Sequence, residues 1–152
     1  MQTFHEMLND MLVTVFNNIM RIEEEFLQKG QKHSLSIREM HLIEYVGKGG
    51  DEDRSLGEIA DYLKIARPSV TVAVRKLAEK GFLIKNGSAR DGRVVHVSLT
   101  HEGRKVFMNH MRFHALMVRE IETGLDECEK DTLIRLIGKI DRYFEKSIGA
   151  AN

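Results

Sequence analysis

The stretch SARDGRVVHV, residues 88–97, places two arginines and an aspartate around a glycine and then passes into alternating apolar residues. Guanidinium groups on a turn between two β-prone runs suit the narrow minor groove of duplex DNA, where negative potential is strongest. Asp91 can brace Arg93 in a fork-to-fork pair, fixing the guanidinium for insertion. Just upstream, RPSVTVAVRKLAEKG (residues 67–81) carries Ser69, Thr71, Arg75 and Lys76 away from a helical face made of Val70, Val74 and Leu77. Small hydroxyl and basic side chains on the outer face of a helix can meet phosphates and base edges in the major groove without steric conflict. Arg67 belongs to the same DNA-contacting set, and Lys85, Arg90 and Lys105 would add phosphate contacts, which position a protein without reading sequence.

These residues need a helix and a hairpin to hold them. Pro68 suits a first helical turn and Gly81 the left-handed position past a helix end, so a helix is expected over Pro68–Lys80. SLGE (55–58) has capping-box spacing and opens a short helix before it, joined through KIAR. FLIKN and VVHVSL, linked by GSARDGR, have the pattern of a hairpin with a loop longer than two residues. Two short helices in a tight connection followed by a basic hairpin define a winged helix-turn-helix.

Around this lobe the spacing predicts more helix. Apolar positions from Phe4 to Leu27 recur every three or four residues, a long amphipathic helix whose stripe must pack on the chain or on a second copy. SIRE (36–39) caps a second helix through Met40, Ile43 and Val46. Thr100 caps a helix rich in Met and Phe, and Asp126 with Glu129 opens a last helix bearing Leu133, Leu136, Ile137, Ile140 and Phe144. The expected fold is mainly α with a small β-hairpin. It is a single chain over 1–152, with a DNA-binding lobe over 36–100 and dimerisation helices over 1–30 and 101–148.

Composition fits this. Twenty-three basic and 23 acidic residues cancel, so no partner follows from net charge. From Lys64 to Lys105, however, ten Lys or Arg face three acids, a net of +7 that the rest of the chain balances. A lone cysteine precludes an intrachain disulfide, and neither a membrane-spanning run nor a signal region is seen, so a cytoplasmic location is expected.

The segment SLGEIADYLKIARPSVTVAVRKLAEKGFLIKNGSARDGRVVHVSLTHEGRKV resembles the DNA-binding domain of the MarR family of bacterial transcriptional regulators, on the late LAEKG (77–81), the wing RDGR (90–93) and LTHEG (99–103). That resemblance implies a two-fold dimer with interlocked terminal helices, recognition helices in successive major grooves, wings in adjacent minor grooves and a pseudo-palindromic operator. FNNIMRIEEEFL, SIREMHLIEYVGK and RVVHVSLTHEGRKVFMNHMRFHALMV are further similar to the subgroup that represses fatty-acid biosynthesis operons in Gram-positive bacteria. This second resemblance implies an acyl chain on acyl carrier protein as effector. Phe16, Ile19, Met40, Phe113 and Met117 are candidate lining residues, since flexible thioethers suit pockets for aliphatic chains.

Some of the same residues fit other readings. Basic residues on a helix face can be a solvated surface, and the lobe can instead be a winged-helix module that docks an acidic protein. His110 and His114, four apart, have metal-ligand spacing, and His41 with Glu23 or Glu24 would complete a site like that of zinc-sensing relatives; no metal or other cofactor is expected. Cys128, in the first turn of the last helix, stands among acidic neighbours that oppose a reactive thiolate. With no nucleophile elbow, phosphate loop or HExxH, an enzyme is not expected.

Overall fold

A computed structural model describes residues 2–29, 34–87 and 94–149. Among the described residues the elements run α1 (Phe4–Gln28), α2 (Ile37–Lys48), β1 (Arg54–Ser55), α3 (Leu56–Leu63), α4 (Arg67–Glu79), β2 (Leu83–Gly87), β3 (Val95–Leu99), α5 (His101–Thr123) and α6 (Glu127–Gly149). The fold is mainly α with a small antiparallel sheet, and the chain divides into two compact units, 1–111 and 112–152, the division falling within α5.

Local chemistry sets the helix starts. Ser36 and Ser55 each accept the N–H of the glutamate three residues on, at 3.2 Å, and the carboxylates of Glu39 and Glu58 accept the serine N–H at 2.9 and 2.8 Å. Both boxes satisfy amides that would otherwise lack a partner. Thr3 and Glu6 form a third box that opens α1, a start signal that the apolar spacing does not reveal. Thr100 accepts the N–H of Gly103 at 2.9 Å, and Asp126 and Glu129 cap each other's amides at 2.9 Å. Burial alone pushes the Glu39 carboxyl up, but the Lys80 ammonium at 2.8 Å and the Ser36 amide together hold it below the usual carboxylate range.

The core of the first unit joins Met40, Leu42, Ile43 and Val46 of α2, Ile59 and Ala60 of α3, Val70, Val74 and Leu77 of α4, and Leu83 and Val97 of the sheet. The expected docking of the α4 valines on α3 is therefore present. The sheet has strand order β1-β3-β2, with Arg54 opposite Val97 and Lys85 also opposite Val97, from the other side. Strand β1 is an addition to the expected hairpin: two residues are too few to show an alternating pattern.

Helix α1 buries only Glu23 and Leu27 and leaves Phe4, Met7, Met11, Val15 and Phe16 exposed. In the second unit, the Thr123 hydroxyl donates to the Glu120 carbonyl at 2.7 Å as α5 ends, and α6 begins after Gly124 and Leu125. Among the described side chains of α6 none is buried, and Ile134, Ile137, Tyr143, Phe144 and Ile148 are exposed. No helix among the described residues is long and apolar enough to cross a membrane.

Candidate nucleic-acid interface

The turn between α3 and α4 is made by Lys64, Ile65 and Ala66. Lys64 takes a φ of 55°, in the left-handed region, and the Ile65 N–H returns to the Ala60 carbonyl at 3.2 Å. This bend sends α4 off in a new direction within three residues. Its start has no side-chain cap; Pro68 sits in the first turn, where a missing N–H does no harm. Val70, Val74 and Leu77 are fully buried, which fixes the rotation of the helix. The opposite face is thereby committed to solvent: Arg67, Ser69, Thr71, Arg75 and Lys76 are all exposed, as the sequence pattern predicts.

Details of that face matter to its chemistry. The Thr71 hydroxyl donates to the Arg67 carbonyl at 3.1 Å, so its oxygen keeps its capacity to accept on an exposed side chain. Arg75 lies 3.9 Å from Glu79 in a highly exposed pair, an interaction of small energy. The Arg67 guanidinium rests over Gly57 at the start of α3, where a Cβ would stand 3.2 Å from Nη2. Nothing in the sequence marks Gly57; only the spatial approach of Arg67 shows its use. A hollow of about 380 Å³ between the start of α3, the start of α4 and β3 is lined by Ser55, Gly57, Arg67, Thr71, Val94 and Val95, so helix and hairpin share one concave surface.

Lys85 is exposed on β2. Arg90, Asp91 and Arg93 fall within residues 88–93 and so lie outside the described residues. Lys105 is exposed and paired with Glu102 at 2.8 Å. Lys80 counts in the basic segment but turns inward, donating to the Ser34 carbonyl at 3.0 Å and to Glu39.

The candidate effector residues have differing environments. Phe16 and Ile19 are exposed on α1 and Met40 lies fully buried in the core of the same unit, while Phe113 and Met117 belong to the second unit and are half-buried. Among the candidate metal ligands, Glu23 lies near both His110 and His41. Glu23 Oε1 is 2.8 Å from His110 Nε2 and 3.5 Å from His41 Nε2, and His110 Nδ1 faces Glu44 at 3.4 Å. His110 is wholly buried, with the Phe26 ring 6.4 Å away, so this polar cluster ties α1, α2 and α5 together inside the first unit. Glu24 is exposed, His114 lies on the stretch of α5 in the second unit, and Cys128 is exposed.

A tight helix pair, a polar and basic outer face on its second member, and a β-hairpin directly following define a winged helix-turn-helix regulator. Residues 25–110 match the family described as transcriptional regulator SarA/Rot, and the chain belongs to that family of MarR-like winged-helix regulators. The crystal structure of Streptococcus pneumoniae FabT in complex with DNA is similar at a TM-score of 0.88 and 32% identity, over 93% of this chain and 98% of that one. The HTH-type transcriptional regulator MhqR of Bacillus subtilis is 28% identical over 109 residues, 72% of this chain and 74% of its own. S. aureus MepR in its DNA-binding conformation shares the fold, with a TM-score of 0.72 at 17% identity over 90% and 98% of the two chains.

Proposed function

We propose that this chain is a cytoplasmic, homodimeric repressor of fatty-acid biosynthesis genes that binds a pseudo-palindromic duplex operator and answers to an acyl chain carried on acyl carrier protein. The observation that carries the DNA-binding part is the division of α4. Its inner face is fully buried, so Arg67, Ser69, Thr71, Arg75 and Lys76 are held outward beside the hairpin that leads to Arg90, Asp91 and Arg93. Lys85 and Lys105 stand as flanking phosphate contacts. Likeness to FabT, solved with DNA, supports the duplex as partner, and resemblance to the fatty-acid subgroup supports the regulated genes and the effector.

The dimer reading rests on the apolar stripes. Helix α1 and, separately, α6 each expose more large hydrophobic side chains than a stable solvated helix carries, and a second copy would cover them. Residues 1–30 and 101–148 are then the dimerisation helices and 36–100 the DNA-binding lobe. Binding in successive major grooves requires the two copies of α4 to stand about 34–36 Å apart, one helical turn of duplex. Phe16, Ile19, Met40, Phe113 and Met117 remain the proposed effector-lining residues. An effector acts only through differential affinity for two arrangements of the dimer, so it must contact the joint between helices and lobe.

The test is selection of bound fragments from genomic duplex, followed by gel-shift titration of the winner across salt. Affinity is expected to require duplex and to fall about 10³–10⁵-fold between roughly 50 and 200 mM salt, as for six to ten phosphate contacts. Binding to an acidic carrier protein without any duplex affinity would overturn the reading in favour of a protein-docking module.

A second reading, a regulator sensing zinc, is favoured by one observation: within the first unit Glu23 Oε1 lies 2.8 Å from His110 Nε2 and 3.5 Å from His41 Nε2. Imidazole and carboxylate are donor types that zinc takes, usually four together. The hydrogen-bonded pair is equally a complete structural contact without metal. Stoichiometric zinc in the purified protein, with operator affinity lost on chelation, would establish the sensor; a protein free of zinc at sub-micromolar metal that still binds its operator would exclude it.

A further inference from the structure

The hairpin of β2 and β3 leaves the lobe beside the edge strand β1. A two-stranded ribbon is only marginally stable by itself, and its direction is set where it leaves the body. Three residues that take no part in the apolar core meet at that point. Asn86 lies on β2, opposite His96 of β3, in the second-to-last pair before the tip. Its side-chain nitrogen donates to Asp53 Oδ2 at 2.7 Å and to Ser98 Oγ at 3.0 Å. Asp53 immediately precedes β1, the edge strand on the far side of β3, and Ser98 is on β3 itself. One amide group therefore reaches across the middle strand and ties the outer strand of the hairpin to the connection between α2 and α3.

Asparagine suits this position for a specific reason. It supplies two N–H donors on one nitrogen, one for a carboxylate and one for a hydroxyl, and both bonds are partly buried, where they are less diluted by water. Leu83 and Val97 hold the same strands into the core from the other side. Backbone pairing keeps β2 on β3, and Leu83 and Val97 anchor the base of the pair in the core; the link to Asp53 adds a polar tie nearer the tip. A tilt at this point displaces everything beyond it.

We propose that Asn86, clamped by Asp53 and Ser98, is a positioning residue for the wing: it aims the hairpin at the minor groove without touching DNA. This rests on the DNA-binding reading above and adds to it a determinant outside the basic face.

The full-length chain is tested as Asn86→Asp, Asp53→Asn and the double variant D53N/N86D. Asn86→Asp sets two carboxylates against each other where a donor met an acceptor. The double variant restores the pair with its roles exchanged: the amide introduced at position 53 donates to the carboxylate introduced at position 86, and the Ser98 hydroxyl can donate to that carboxylate as well. Hydrogen exchange of the backbone amides of residues 83–87 and 95–99, read without DNA, is expected to quicken in N86D and return in the double variant, while residues 70–77 of α4 keep wild-type protection. Operator affinity is expected to fall about ten- to a hundredfold in N86D, with a shallower salt slope as wing phosphates are lost, and to recover to within about threefold in D53N/N86D. A wild-type chain that binds no duplex overturns the DNA reading and this role with it. If the wild type binds and N86D binds equally well, or if D53N/N86D is no better than N86D, only the positioning role falls. Should N86D fail to fold, the double variant decides: recovery of fold, strand protection and binding supports the clamp, and failure to recover overturns it.

Discussion

Gly103→Ala is expected to lower the melting temperature by about 6–12 °C, because overpacking of roughly 3 kcal/mol translates at about 2–4 °C per kcal/mol in a chain of this size. Helix α5 begins hard against the base of the hairpin. The Thr100 N–H donates to the Phe82 carbonyl at 3.0 Å, the Thr100 hydroxyl donates to the Gly81 carbonyl at 2.6 Å, and the same hydroxyl oxygen accepts the Gly103 N–H. Those bonds bring the first turn so close that a Cβ on Gly103 would stand 2.1 Å from the Phe82 carbonyl oxygen. The neighbour is backbone, held by the buried Phe82 ring and the following strand, and it cannot swing aside as a side chain would. Gly47 faces a comparable approach, 2.6 Å from the Phe107 ring, yet a ring has torsions with which to yield. Gly87→Ala is the control: nothing lies within 4 Å of its Cβ position, and its melting temperature should stay near wild type. A Gly103→Ala protein that melts with the wild type would mean that α5 does not bear on the hairpin base.

Features whose chemistry is local were legible in the sequence. Ser36, Ser55, Thr100 and Asp126 each cap a helix because the partner lies three residues away, and the three apolar residues of α4 face inward because helical spacing leaves no other choice. What escaped was long-range. Glu23 and His110 are separated by 87 positions: the sequence offers both as candidate ligands beside His41, but no spacing rule says that they share a buried hydrogen bond. Asn86 looks like one polar residue in a strand, and its partner Asp53 stands just before β1, 33 positions earlier. Lys64 carries no signal of its left-handed φ, which glycine or asparagine would have advertised. The outward face of α4 was readable; which of the basic side chains around it are already engaged, as Lys80 is with Glu39, was not.

Arg75→Ala is expected to weaken operator binding by about 2–6 kcal/mol, at least thirtyfold, with little change in melting temperature. One arginine fork on a base edge or phosphate accounts for about 1–3 kcal/mol, and a two-fold dimer presents it twice. The geometry makes Arg75 the residue on which to look for so large an effect. It follows Val74 and precedes Leu77, both fully buried, so its Cα is fixed while its side chain stands in solvent. Its contact with Glu79 is long and exposed, and gives up little when the guanidinium turns to DNA. Glu79→Ala should therefore leave affinity unchanged or slightly raised, which separates loss of the cation from loss of the pair. Arg75→Lys distinguishes the two kinds of contact: lysine keeps the charge but not the fork, so it retains most binding to a phosphate and loses discrimination at a base. Equal operator affinity in Arg75→Ala and wild type would take Arg75 out of the interface and leave the helix contribution to Arg67, Ser69, Thr71 and Lys76, whose side chains are exposed on the same outer face.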